Sequence, residues 1–195
     1  MKRSDAFPSR WLKAADLYGR PMALRIKSVE MADLKGTDGG KQSKPVVKFY
    51  NHEKGLILNG VNFDILERRD PAVYGGLSLH ELEQRIEGWA GELGHTVRCR
   101  QSNSEGEYVG FCHDSLAWAE GMIVNPGAWT HYSYAIRDAL EIFPGPIVEV
   151  HLSNPEEREE EWRHHSVVGD LAARRVLGRG PDGYLDALAW LAEQT

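Results

Sequence analysis

From residue 55 onward the sequence alternates short apolar runs of strand type with segments whose apolar residues recur at helical spacing, and few folds accommodate that alternation. GLILNG (55–60), TVRCRQS (96–102), GMIVN (121–125), PIVEVHLSN (146–154) and ARRVLG (173–178) read as strands. Between them, Ser78 and Glu81 have the spacing of a capping box ahead of Leu79, Leu82, Ile86, Trp89 and Leu93. Residues 106–119 put Val109, Cys112 and Leu116 on one helical face, Thr130 is placed to cap a helix running to about Ile142, and 181–194 carries Tyr184, Leu188 and Leu191 in register. Strand and helix repeated in this way predict an α/β fold: a flavodoxin-like, doubly wound, five-stranded parallel sheet with helices on both faces.

Charge divides the chain near the start of that pattern. Residues 1–54 hold 12 Lys+Arg and 6 Asp+Glu, whereas 55–195 hold 11 and 23, so a basic N-terminal extension precedes an acidic main domain. All eight lysines lie in the first 54 residues, which excludes Schiff-base chemistry from the larger part. With 42% hydrophobic and 27% charged residues, the chain has the composition of a globular protein with a good core. No run approaches the roughly 20 apolar residues of a membrane span, and MKRSDAFPSR lacks the apolar middle of a signal peptide, so a cytoplasmic address without membrane partners is expected. Cys99 and Cys112 are too few for a disulfide framework and read as reduced core residues. His164 and His165 are adjacent and point apart on an extended segment, so no metal site is expected from them.

The extension itself reads as a small α+β arm: a helix over about 9–18, a strand over about 22–29, a polar loop over 33–44 and an extended run VVKFY (46–50). VVKFY and GLILNG have hairpin spacing, but the first strand of a doubly wound sheet already has two neighbours, so VVKFY belongs beyond that strand or in a separate subdomain. Basic residues could serve nucleic acid; here they are interleaved with acids and no reader motif accompanies them, which argues against a nucleic-acid partner. Fragments such as SRWLKAADL and KPVVKFYNHEKGLILN are similar to small phage-encoded proteins of unknown function.

In an open α/β sheet the ligand site lies beyond the carboxyl ends of the strands where the winding reverses. That directs attention to residues 59–62, 125–131 and 149–154. Glu149 and His151 are two apart on a strand and share a face, with Val148, Val150 and Leu152 on the other. A histidine beside a carboxylate can be held in one tautomer and used as a general acid. For Asn125 and His131 alone, turn capping is an alternative role, and for Asp138 a surface helix charge.

The segments NGVNFDILERRDPAVYG (59–75), NPGAWTH (125–131), RDA (137–139), VEVHLSN (148–154), REEEWRHHS (158–166) and PDGY (181–184) together resemble type II 3-dehydroquinate dehydratase, in collinear order from about residue 55 to the end. The resemblance implies dehydration of 3-dehydroquinate to 3-dehydroshikimate, no cofactor, and a homo-oligomer in which trimers commonly build dodecamers. It also implies roles: Tyr74 as the base, Arg69 as its activator, His151 as the acid oriented by Glu149, and Asn62 positioning a water near the enolate oxygen. Asn125 and His131 would hold substrate hydroxyls, with Gly127 allowing close backbone approach. The amides of Leu152 and Ser153 would hold the carboxylate, Arg163 would contact ring hydroxyls, and Asp138 would reach the site of a neighbouring subunit. A free tyrosine titrates near ~10, so a tyrosinate base at neutrality needs about 4 kcal/mol of stabilisation from its surroundings. The bland alternative leaves Arg69 in a solvated charge run, ERRD, with Tyr74 packing the loop.

Three departures from the family pattern stand out. Val61 occupies a proline position, and Glu67 a glycine position with a potential need for positive φ, which predicts a strained or displaced lid. An insertion within 159–161 obscures the register of Arg158. Arg174 and Arg175 replace small or apolar residues in the fifth strand, which is tolerable at an edge. A lid lost in this way would leave a non-catalytic interaction protein, the alternative to the enzyme.

Overall fold

The computed structural model describes residues 26–35, 41–49 and 54–194. The expected helix over 9–18 and the start of the strand at 22–25 lie outside these residues. The chain divides into two compact units, Met1–Tyr50 and Asn51–Thr195.

In the first unit β1 (Ile26–Lys35) and β2 (Lys41–Phe49) pair antiparallel, with Met31 opposite Pro45 and Lys35 opposite Lys41. Much of the stretch expected as a loop over 33–44 is therefore strand. A two-stranded ribbon is held by cross-strand backbone hydrogen bonds, so its strands need not alternate polar with apolar residues, and a reading based on alternation finds only part of each. Val46–Phe49 of the run VVKFY pairs with β1 in a two-stranded sheet of its own. Pro45 is acceptable because each strand of a two-stranded sheet has a free edge.

The second unit holds five parallel strands: β3 (Lys54–Asn59), β4 (Thr96–Gln101), β5 (Gly121–Asn125), β6 (Ile147–His151) and β7 (Arg174–Leu177), in the order β4-β3-β5-β6-β7. Its helices are α1 (Pro71–Tyr74), α2 (Leu79–Glu92), α3 (Glu105–Ser115), α4 (Tyr134–Glu141) and α5 (Asp182–Ala192). Alternate residues of each central strand enter opposite cores. Leu56, Leu58, Met122 and Val124 pack with Tyr108, Cys112, Ile136 and Leu140 from α3 and α4. Ile57, Ile123, Val148 and Val150 pack with Leu82, Ile86, Tyr184 and Leu188 from α2 and α5. This is the doubly wound sandwich expected from the sequence, and the winding reverses between β3 and β5.

The Ser78–Glu81 capping box forms in both directions at α2. Two local expectations differ. The buried face of α3 is Tyr108, Cys112 and Ser115, and Leu116, one residue past the helix, is 41% exposed. Ser133, not Thr130, caps α4, its hydroxyl accepting the Ile136 N–H at 3.0 Å. Thr130 lies in a 3-10 turn, Gly127–His131, where its side chain has another partner. β7 is an edge strand, which is why two arginines fit there. Among the described residues no helix is long and apolar enough to cross a membrane.

Candidate active site

The loops after β3, β5 and β6 meet at the reversal point, and close backbone contact joins the first two. Gly60 donates its N–H to the Asn125 carbonyl at 2.8 Å, and a Cβ on Gly60 would lie 2.4 Å from the Pro126 oxygen. Glycine is thus required for the loops to touch. Asn62 adopts φ 67°, the one non-glycine residue in the left-handed region among those described, a conformation asparagine tolerates better than most. Its N–H donates to Asn103 Oδ1 at 2.9 Å, and Asn103 Nδ2 donates to Asp64 at 2.8 Å, pinning the loop to the chain beyond β4.

The lid follows. Buried Leu66 anchors a 3-10 turn, Leu66–Arg68, in which Glu67 sits without positive φ. The strain expected from Glu67 is absent because the turn is right-handed. Asp70 then caps α1 by accepting the Ala72 N–H at 2.9 Å, Pro71 supplies the first helical φ, and left-handed Gly75 ends the turn. That single helical turn brings Tyr74 back onto Arg69. Arg69 Nη2 donates to the Tyr74 hydroxyl, with its guanidinium carbon 3.6 Å from the ring centroid. Arg158 Nη2 donates to the same hydroxyl at 3.1 Å, so two guanidinium groups face one phenol oxygen. The second was hidden in the sequence by the insertion at 159–161.

At the end of β5, buried Asn125 accepts the Gly127 N–H at 3.3 Å and donates to the Tyr184 hydroxyl at 3.2 Å; Tyr184 in turn donates to Asn59. Burial pushes the Tyr184 phenol well above its ordinary value, so it is a neutral donor. His131 Nδ1 donates to the His165 carbonyl at 2.7 Å, leaving Nε2 as an acceptor. Burial, with His151 and Arg163 nearby, holds His131 below the usual imidazole range despite that hydrogen bond, which favours its neutral form.

On β6, Glu149 is fully buried and His151 nearly so. His151 Nε2 donates to Glu149 Oε1 at 3.0 Å; the hydroxyls of Thr130 and Ser166 donate to the same oxygen, and Arg175 Nε donates to Oε2 at 2.7 Å. Burial alone would raise the Glu149 carboxyl, but the hydrogen bonds and charges of His151, Thr130 and Arg175 outweigh it and hold it at about 2. A permanently ionised Glu149 keeps the proton on Nε2 and leaves Nδ1 for chemistry. Sequence pattern does not reveal Thr130, Ser166 and Arg175 as partners of Glu149: it suggests a helix cap for Thr130 and an edge charge for Arg175.

These groups surround a cavity of about 190 Å³. Asn62, Arg69, Tyr74, Asn125, Gly127, His131, His151, Leu152, Ser153 and Arg163 all line it, with Glu149 behind His151. Arg158, whose register the sequence left open, lines it as well, as does Trp162, which was not expected. Asp138 is exposed on α4 and is not among the lining residues. Three arginines and no carboxylate line the cavity, which suits a small anion. The fold and this cavity define a flavodoxin-like α/β protein with a cationic cleft that pairs a phenol with a carboxylate-backed imidazole. Comparison with known proteins gives the family: the class II dehydroquinase model matches residues 53–192, and the chain belongs to that family. It is 47% identical over 135 residues to a 3-dehydroquinate dehydratase of Pelotomaculum thermopropionicum, covering 69% of this chain and 93% of the relative. To the 3-dehydroquinate dehydratase of Syntrophotalea carbinolica it is 48% identical over 133 residues, covering 68% and 89%. The crystal structure of a type II dehydroquinase from Propionibacterium acnes superposes with a TM-score of 0.70 at 41% identity, covering 72% of this chain and 97% of that one.

Proposed function

We propose that the chain is a type II 3-dehydroquinate dehydratase, a hydro-lyase working through an enolate with Tyr74 as base. The observation that carries this reading is the Tyr74 hydroxyl held by both Arg69 and Arg158 in the cavity that His151 also lines. Two cationic donors favour negative charge on that oxygen, and an anionic phenol can take the proton next to a ketone. The electron pair left behind forms an enolate, stabilised by a water held at Asn62. Re-formation of the ketone expels the hydroxyl, which His151 protonates from Nδ1, releasing water; Glu149 stabilises the imidazolium that supplies the proton.

The same reading places substrate hydroxyls on Asn125, His131 and Arg163, with Gly127 admitting close approach, and the carboxylate on the amides of Leu152 and Ser153. Asp138, outside the cavity of its own chain, would complete a neighbouring subunit's site, so the working form is a trimer or a multiple of it. Residues 1–54 are an appendage peripheral to the chemistry. The non-catalytic alternative requires a lid altered at Val61 and Glu67; the turn at Glu67, which has no positive φ, favours the enzyme. Incubation with 3-dehydroquinate tests the function: the conjugated enone product should appear by ultraviolet absorbance, and borohydride added with substrate should leave no covalent adduct on the protein, because no imine forms. Binding of a substrate analogue without turnover would favour the alternative.

A further inference from the structure

The pair Glu149–His151 has a cationic neighbour on the adjoining strand. β6 and β7 are in register with Glu149 beside Arg175. Arg175 Nε donates to Glu149 Oε2 at 2.7 Å while its Nη1 donates to Glu156 Oε1 at 3.0 Å. Among the described residues Arg175 is the one guanidinium bonded to Glu149. We propose that Arg175 is a positioning and charge-balancing residue for the acid of this site: it occupies Glu149 Oε2, keeps Oε1 turned to His151, and shares the carboxylate's charge with the imidazole.

The placement explains the division of partners on Glu149. Oε1 takes His151, Thr130 and Ser166, whereas Oε2 takes Arg175, so each oxygen is fixed and the carboxylate cannot rotate without breaking a charged hydrogen bond. Glu156, 50% exposed at its side chain, anchors the other end of the guanidinium at the rim. The electrostatic consequence has a definite sign. A cation on Glu149 cancels part of the negative charge that faces His151, so removing Arg175 leaves the whole carboxylate charge against the imidazole. Other groups facing the pair are His131 from the Gly127–His131 turn, Arg163 from the Glu161–His164 turn and Tyr108 from α3; Tyr74, Arg69 and Arg158 share the cavity. None of these bonds to Glu149 in the structure, and all stay unchanged when Arg175 alone is replaced.

The test rests on the dehydratase reading for one arm and is independent of it for the other. Arg175→Val places an apolar residue on the edge strand, Arg175→Gln keeps a polar one should the first fail to fold, and Arg175→Lys keeps the charge. In the resting full-length protein, the His151 ring resonances, assigned by their loss in His151→Gln, are titrated by NMR. The midpoint should move up by about one pH unit in Arg175→Val or Arg175→Gln and return toward wild type in Arg175→Lys. The limb of the kcat profile for 3-dehydroquinate that reports the acid should move by the same amount, with KM changed less than twofold. A folded neutral variant whose His151 midpoint and kcat profile both match wild type would overturn the proposal. No wild-type turnover with the NMR shift present would instead refute the dehydratase reading and leave the role of Arg175 in place.

Discussion

Replacing Glu149 by glutamine isolates the buried carboxylate at almost constant volume. Its pKa lies at about 2 against an ordinary 4.5, and each unit corresponds to about 1.4 kcal/mol, so ionised Glu149 contributes about 3 kcal/mol to folding at neutral pH. Because the folded value is depressed, this stabilisation is complete above the unfolded value near 4.5 and is lost as the pH falls through about 2. An amide in the same place cannot follow that curve, and it sets an N–H₂ against donors on one side or the other: Arg175, or the group formed by Thr130, Ser166 and His151. Urea unfolding of wild type and Glu149→Gln at one protein concentration, at pH 7 and pH 3, measures the effect while holding any subunit linkage constant. The wild type should be more stable by about 3 kcal/mol at pH 7 and by about 1.5 kcal/mol at pH 3. Equal stabilities at pH 7, or a difference that does not shrink on acidification, would show that the hydrogen-bonded carboxylate is not held as described.

Other consequences are as direct. Tyr184→Phe removes the hydroxyl shared by buried Asn59 and Asn125 and should cost about 1–3 kcal/mol in denaturant unfolding, with the far-ultraviolet spectrum unchanged. Gly60→Ala forces a methyl group against the Pro126 carbonyl and should destabilise by about 1–3 kcal/mol, visible as a lowered Tm. Deletion of residues 1–50 should leave kcat for 3-dehydroquinate within about twofold of the full chain; loss of activity with an intact fold would place the extension in the site.

What could be read from the sequence follows its periodicities. The sheet was legible because Leu56, Ile57 and Leu58 belong to an apolar run too short for a helix, and Ile57 must then face away from its neighbours. Glu149 and His151 were legible as a pair because a period of two needs no knowledge of neighbouring strands. Arg175 was not, since its partnership with Glu149 depends on the register between β6 and β7, which no single-strand pattern contains. Thr130 misled for a related reason: a hydroxyl ahead of a helix looks like a cap, while the actual cap, Ser133, is three residues later and Thr130 reaches across to β6. Arg158 was obscured by an insertion whose accommodation, through the turns at Pro155–Glu157 and Glu161–His164, is a three-dimensional matter. In the extension, the strand over 22–29 and the extended run 46–50 were legible in part, whereas the strand residues within 33–44 were not, because their pairing is made by backbone groups.

The account stands most directly on the charge of one oxygen. Steady-state turnover of 3-dehydroquinate by Tyr74→Phe, alongside binding of a substrate analogue, removes that oxygen and leaves the ring. Loss of about 10²- to 10⁴-fold in kcat with analogue affinity retained is the expected result; turnover close to that of the wild type would contradict it.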